Sequence, residues 1–213
     1  MAHPIKLHRF RLSGHSHRVE LFLSLLGLPF ERVEVELGKG EHKTQAFLAL
    51  NTFGQVPVIE DHGLVLADSN AILVYLSSTY DTERRWYPPD PAGMAAVQRW
   101  LSAAAGPLLS GPAFARLVGI FNAKHDLERA HATARSLFAV MEKQLDRQGG
   151  YLVADHPTIA DIALYTYTAH ADEGHFDLAS YPAIRLWLAA IEALPGFVPM
   201  ARTEPRYGLP KGA

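Results

Sequence analysis

Two short stretches hold residues whose types and spacing suit the binding of a small amino-acid-like ligand. They are Gln55-Val56-Pro57-Val58-Ile59 and, eleven residues after the proline, Asp68-Ser69-Asn70-Ala71-Ile72. The apolar run around Pro57 reads as a strand, yet proline cannot donate to a ladder and belongs at strand starts, edges or bulges. A cis Val56–Pro57 bond, found in only about 5% of X–Pro bonds, is one solution. It would leave the N–H and C=O of Val56 to pair with something other than the sheet. Asp61-His62-Gly63 then makes a hairpin turn, Leu64-Val65-Leu66 returns, and Asp68-Ser69 opens a helix. Backbone N–H groups, a hydroxyl and a carboxylate at a helix N-terminus fit a ligand carrying both a carboxylate and an ammonium. An edge-strand proline followed by an ordinary helix cap explains the same spacing.

The elements that must position these residues alternate over the first eighty positions. Ile5, Leu7 and Phe10 mark a short strand, and Val19, Phe22, Leu23 and Leu26 fall at helical spacing before a Gly27/Pro29 stop. Val33, Val35 and Leu37 alternate with Glu34 and Glu36, which predicts a half-buried second strand reaching Leu37. A short helix over about 43–50, a strand Val56–Ile59, its hairpin partner and a helix from Ser69 to about Thr79 complete the order β-α-β-α-β-β-α. That order predicts a parallel βαβ unit followed by an antiparallel hairpin on the same sheet.

From Asp81 to Pro91 the composition changes, and Pro88, Pro89 and Pro91 read as a stiff linker. Everything beyond it reads helical. Met94, Val97, Trp100 and Leu101 form one apolar stripe, with a break or kink expected at Gly106-Pro107. Leu127 to Leu145 carries a second stripe that ends at Gly149-Gly150, and Ile184, Trp187, Leu188 and Ile191 carry a third. Thr158 and Asp161 have the spacing of a capping box, with Asp in the usual Glu role, so that motif is assigned to folding. The expected organisation is α/β plus all-α: residues 1–80, a linker over 81–91, and helices over 92–213.

Composition excludes several classes. The 213 residues are 48% hydrophobic and 20% charged with a formal net charge of −2, which fits a globular chain with one or two cores. Residues 1–80 hold 7 Lys/Arg against 8 Asp/Glu, and no basic half exists to follow a phosphate backbone, so nucleic acid is not an expected partner. No apolar run approaches the roughly 20 residues of a membrane span, and Met1-Ala2-His3-Pro4 has no signal-peptide core. A cytoplasmic location is therefore expected. With no cysteine, the chain has no disulfide, thiol nucleophile or thiolate metal site, and any sulfur chemistry must use a thiol brought by the substrate. Eleven histidines give no pair at helical ligand spacing, so no metal is expected.

Taken together, the β-α-β-α-β-β-α order, Val56-Pro57, Asp68-Ser69, the proline linker and Thr158-Ile159-Ala160-Asp161 resemble the cytosolic glutathione transferase family over nearly the whole chain. The resemblance implies a thioredoxin-like N-terminal domain with a mixed four-stranded sheet and a C-terminal helical bundle. It also implies a homodimer, pairing the N-terminal domain of one subunit with the helical domain of the other. Glutathione is the implied co-substrate, with no further cofactor. Val56, before Pro57, would pair with its cysteinyl backbone, and Asp68 and Ser69 would hold its γ-glutamyl end. The family more often has Glu at the position of Asp68. His42 and Gln55 are candidates for its glycyl carboxylate, or are solvated surface groups.

The resemblance also implies a hydroxyl or thiol just after the first strand that donates to the glutathione sulfur. Here the segment reads Ser13-Gly14-His15-Ser16-His17-Arg18, without tyrosine or cysteine. Ser13 is the favoured thiol partner. His15 and the Gly14 or His15 backbone N–H are the alternatives, and a plain turn is the remaining one. Ser16 is read as a helix N-cap. The small apolar region Ser102–Ala105 and Pro107–Phe114 is a candidate lining for an electrophile pocket in the helical domain, or ordinary helix packing. The expected activity is thiol conjugation to a small, partly apolar electrophile in detoxification. Glutathione-dependent disulfide reduction and non-catalytic binding on the same fold are the alternatives.

Overall fold

The computed structural model describes residues 4–208. The start Met1-Ala2-His3, read above for its lack of a signal-peptide core, lies outside the described residues. The chain divides into two compact units. One extends to Arg84 and is completed by the late segment Leu194–Ala201; the other begins at Arg85, runs to Ala193 and resumes at Arg202.

The first unit is built from β1 (Ile5–Arg9), α1 (Gly14–Leu25), β2 (Phe30–Glu34), α2 (Gln45–Leu50), β3 (Val58–Asp61), β4 (Leu64–Ala67) and α3 (Ser69–Tyr80). The sheet order is β2-β1-β3-β4, with β1–β2 parallel and both β3 pairings antiparallel. Parallel neighbours need a crossover, which α1 supplies by laying Val19, Phe22 and Leu23 on the sheet. Ile5, Leu7, Val58 and Ile59 of the sheet and Ile72, Leu73 and Leu76 of α3 are buried core residues, and α3 packs on α1 and β4. His62 (φ 46°) and Gly63 (φ 86°) are both left-handed, as a two-residue hairpin turn requires.

Three boundaries differ from the sequence reading. β2 ends at Glu34 rather than Leu37 because its neighbour β1 ends opposite it, with Arg9 paired to Glu34. Val35 makes one last bond to Arg9 O (2.7 Å), and Val35 and Leu37 then pack with Phe47 and Val58 under two 3₁₀ turns. Their alternation serves a loop core, not a strand. β3 begins at Val58, so Val56 and Pro57 stand before the ladder; the Val56–Pro57 bond is cis. Pro91 does not close a linker but opens a helix at N1 behind the Asp90 cap, where a missing N–H costs nothing.

The second unit contains α4 (Pro91–Ala105), α5 (Phe114–Phe121), α6 (Leu127–Gln148), α7 (Ile159–Ala169) and α8 (Pro182–Glu192). All eleven residues of α7 are buried, and α4 and α8 pack against it. The stretch Pro91–Phe121 is long and apolar enough by length and composition to cross a membrane, contrary to the sequence reading. Half of its apolar window is buried within the protein, and Gly106 and a π-turn at Leu109–Ala113 interrupt it. It is a bent core helix. Thr158 and Asp161 form the capping box at the start of α7.

Candidate functional site

Register alone gathers the candidate residues. His8 pairs with Val58 and Val58 with Ala67, so the end of β1, the start of β3 and the end of β4 lie at one end of the sheet. The segments that follow β1, precede β3 and follow β4 carry Ser13 and His15, Val56 and Pro57, and Asp68 and Ser69. Helices α1 and α3 both begin there, and each helix start offers orphan N–H groups and a partial positive charge.

Ser13 is the N-cap of α1 (φ −85°, ψ 118°), and its Oγ accepts from the Ser16 N–H at 3.2 Å. This corrects the reading of Ser16 as the cap. Ser16 lies one turn inside, 1% exposed, with its Oγ accepting from the Phe10 N–H at 3.3 Å. The half-buried Ser13 accepts with its oxygen, which leaves its O–H proton for a further partner. His15 Nδ1 is 3.3 Å from Ser69 Oγ. Burial, and secondarily the Arg18 cation, push the His15 pKa down to about 3, so the ring is neutral. His17 points elsewhere, its Nε2 donating to Val198 O at 2.8 Å, as two helical residues two apart should.

Asp68 caps α3 with one carboxylate oxygen, which accepts from Asn70 N–H and Ala71 N–H at 2.9 Å each. The residue is exposed and has φ 73°, an uncommon conformation for a side chain other than glycine. Ser69 is buried. Val56 is half-buried and stands outside both β3 registers. Gln55 is exposed, and its carbonyl accepts from Asn51 Nδ2 at 2.8 Å. His42, half-buried, sits in the Glu41–Lys43 turn. That turn abuts the 51–57 segment so closely that a Cβ on Gly54 (φ 58°) would come within 2.7 Å of His42 O. Lys43 Nζ donates to Gly54 O at 3.2 Å. His15 and Ser69 are thus in direct contact, and His42 is brought beside the segment that bears Gln55 and Val56.

Arg18 and Asn70 are the site residues that sequence reasoning missed. Arg18 is 1% exposed and its guanidinium donates to Ser69 Oγ and Asn70 Oδ1, both at 2.8 Å, tying α1 to α3. The available signal was a charged residue four positions before Phe22, on the inward stripe of α1, with a polar pair opening the helix it meets.

The sequence matches the family models for the glutathione S-transferase N-terminal domain over residues 3–78 and the C-terminal domain over 124–190. A maleylpyruvate isomerase from Ralstonia sp is 33% identical over 91% of this chain and 94% of its own length. Among solved structures, a glutathione S-transferase from Pseudomonas fluorescens [Pf-5] is 36% identical with a TM-score of 0.87, covering 94% of this chain and 100% of that one. A glutathione transferase homologue from Lodderomyces elongisporus, solved with two GSH per subunit, is 29% identical with a TM-score of 0.80, over 91% and 95% of the respective chains. The chain belongs to the cytosolic glutathione transferase family, with the thioredoxin-like sheet unit and the helical unit of that fold.

Proposed function

We propose that this protein binds glutathione at the α1/α3 end of the sheet and activates its thiol as thiolate for attack on a small, partly apolar electrophile. The observation that carries this reading is the Ser13 cap: an oxygen held by the helix, with its proton unused, at the positive end of α1. In this reading the Val56 main chain pairs with the cysteinyl backbone and Pro57 shapes that turn. Asp68 faces the ammonium, Ser69 the γ-glutamyl carboxylate, and His42 and Gln55 the glycyl carboxylate. A free cysteine thiol has a pKa of about 8.5 and is only a few per cent thiolate at pH 7. A hydroxyl donor and a helix terminus contributing about one pKa unit each, about 1.4 kcal/mol apiece, would make thiolate dominant near neutrality. A homodimer working in the cytoplasm belongs to the same reading.

Similarity to a maleylpyruvate isomerase favours a second use of the same thiolate. There it would add reversibly to the double bond of an unsaturated acid and leave again, so that glutathione is not consumed. Following glutathione with each substrate class separates the readings: conjugation consumes it, isomerisation returns it, and disulfide reduction oxidises it.

Ser13→Gly is the test of activation, because glycine keeps most of an N-cap's stability while alanine forfeits about 1 kcal/mol. The bound thiol pKa should rise by about one unit and turnover at neutral pH should fall about tenfold, with glutathione affinity nearly unchanged. Unaltered pKa and turnover would remove Ser13 and leave His15 or the Gly14 and His15 backbone N–H groups as the activating donors.

A further inference from the structure

One side chain holds the loop that carries Val56. Asn51 stands just after α2, is 7% exposed, and uses both ends of its carboxamide: Nδ2 donates to Gln55 O at 2.8 Å and Oδ1 accepts from the Phe53 N–H at 3.1 Å. Facing one carbonyl and one N–H, the amide has a single orientation that satisfies both. Its main chain is committed as well, the N–H to Phe47 O at 3.0 Å and the C=O to the Gly54 N–H at 2.8 Å. Gln55 O and the Val56 N–H belong to one planar trans peptide unit, so they point in opposite directions. Anchoring the carbonyl on Asn51 therefore aims the N–H away from Asn51, and polarises the peptide so that the N–H is a stronger donor. Val56 lies outside both β3 registers, and among the described residues no group accepts from its N–H. The peptide is held on one side and open on the other.

We propose that Asn51 is a positioning residue for glutathione, acting through the Gln55–Val56 peptide to present the Val56 N–H to the cysteinyl carbonyl of the ligand. The proposal rests on the reading of Val56 as the main-chain partner of glutathione, and extends it to a side chain that works from behind the ligand-facing peptide. It separates two tasks: Asn51 serves affinity for the tripeptide backbone, whereas Ser13 serves the charge on sulfur. The carboxamide is required. Aspartate at the same place keeps an acceptor for the Phe53 N–H but sets a carboxylate oxygen against Gln55 O. The second hold on the loop, Lys43 Nζ on Gly54 O at 3.2 Å, acts one peptide earlier.

NMR of the unaltered protein gives the first test. A scalar coupling across the hydrogen bond from Asn51 Nδ2 to the Gln55 carbonyl is expected without ligand, and glutathione should shift the Val56 amide resonance and slow its hydrogen exchange. Absence of the coupling overturns the proposal without any variant having to fold. A Val56 amide indifferent to saturating glutathione sinks the underlying reading and the proposal with it; a responsive Val56 together with parent-like binding by Asn51→Asp removes Asn51 alone. In Asn51→Asp the dissociation constant and KM for glutathione should rise roughly tenfold at about pH 7.5, while kcat at saturating glutathione and the pKa of the bound thiol match the parent. Protonation gives the new carboxyl a donor for Gln55 O, so the ratio of dissociation constants, variant over parent, should narrow as the solution is taken down to about pH 5. Glu41, His42 and Lys43 of the adjacent turn are common to both proteins and cancel in that ratio. A ratio constant with pH, or a loss that falls on kcat rather than KM, would mark a merely structural defect and refute the positioning role.

Discussion

Asp68 is asked to satisfy a helix and, in the proposed function, a ligand with one carboxylate. One oxygen already accepts from Asn70 and Ala71, so Asp68→Ala mixes two losses: about 1 kcal/mol of capping and whatever the charge contributes to binding. Asp68→Asn separates them, because an amide oxygen caps as well as a carboxylate but carries no charge. Thermal unfolding of Asp68→Asn should match the parent, while calorimetry should show glutathione binding weaker by about 1.5–3 kcal/mol. Unchanged affinity would take Asp68 out of the site. The sequence showed that Asp68-Ser69 opens a helix because such residues announce themselves by type. It did not show that Ser13 rather than Ser16 caps α1, since both hydroxyls stand within one turn and only the backbone (φ −85°, ψ 118° at Ser13) decides between them. Arg18 was hidden for a different reason: its spacing to Phe22 placed it on the inward stripe, but the partners that hold it lie 51 and 52 residues away.

Among the elements, α7 depends most on a single side chain. Asp161 accepts from the N–H groups of Thr158 (2.8 Å) and Leu152 (3.0 Å), from the Thr158 hydroxyl (3.0 Å) and from Trp187 Nε1 (3.0 Å). Complete burial pushes its pKa up against these four donors. Thr158→Ala should cost about 1 kcal/mol, whereas Asp161→Ala strands several buried donors and should cost about 3 kcal/mol or more in chemical denaturation. The double variant should fall short of the sum, because the two residues share bonds. This box was legible from spacing alone, as were the stripes of α4, α6 and α8. The end of β2 was not, because alternation along Val33, Val35 and Leu37 records burial, while a strand also needs a neighbour, and β1 stops at Arg9.

At the scale of the whole molecule, acid should loosen the helical unit through Glu173. This buried carboxylate accepts from Arg116 Nε (2.6 Å), His170 Nδ1 (2.7 Å) and Thr203 N–H (3.0 Å), fastening the segment after Ala201 to the helices. Burial alone would raise its pKa, but His170, Arg116 and Thr203 together hold it below its ordinary 4.5. A depressed carboxylate stabilises the fold fully above 4.5 and loses that contribution as pH falls from there through the folded-state value. Stability measured against pH should decline over that acid window, and Glu173→Gln should flatten the decline while lowering stability near neutrality. Sedimentation at micromolar concentration should give a dimer; a monomer would refute the proposed assembly. The order of elements made the two units legible, but no local pattern pointed to the late segment that completes the first. His17 Nε2 donates to Val198 O and Ser24 Oγ to Gly196 O, bonds that span 181 and 172 residues. During synthesis the sheet and α1 leave the ribosome first, yet His17 and Ser24 of α1 do not gain these two bonds until Val198 and Gly196 emerge. The unit begun first is thus among the last to be finished, and a chain interrupted anywhere before Leu194 would present an unfinished α1 to whatever chaperone or protease meets it.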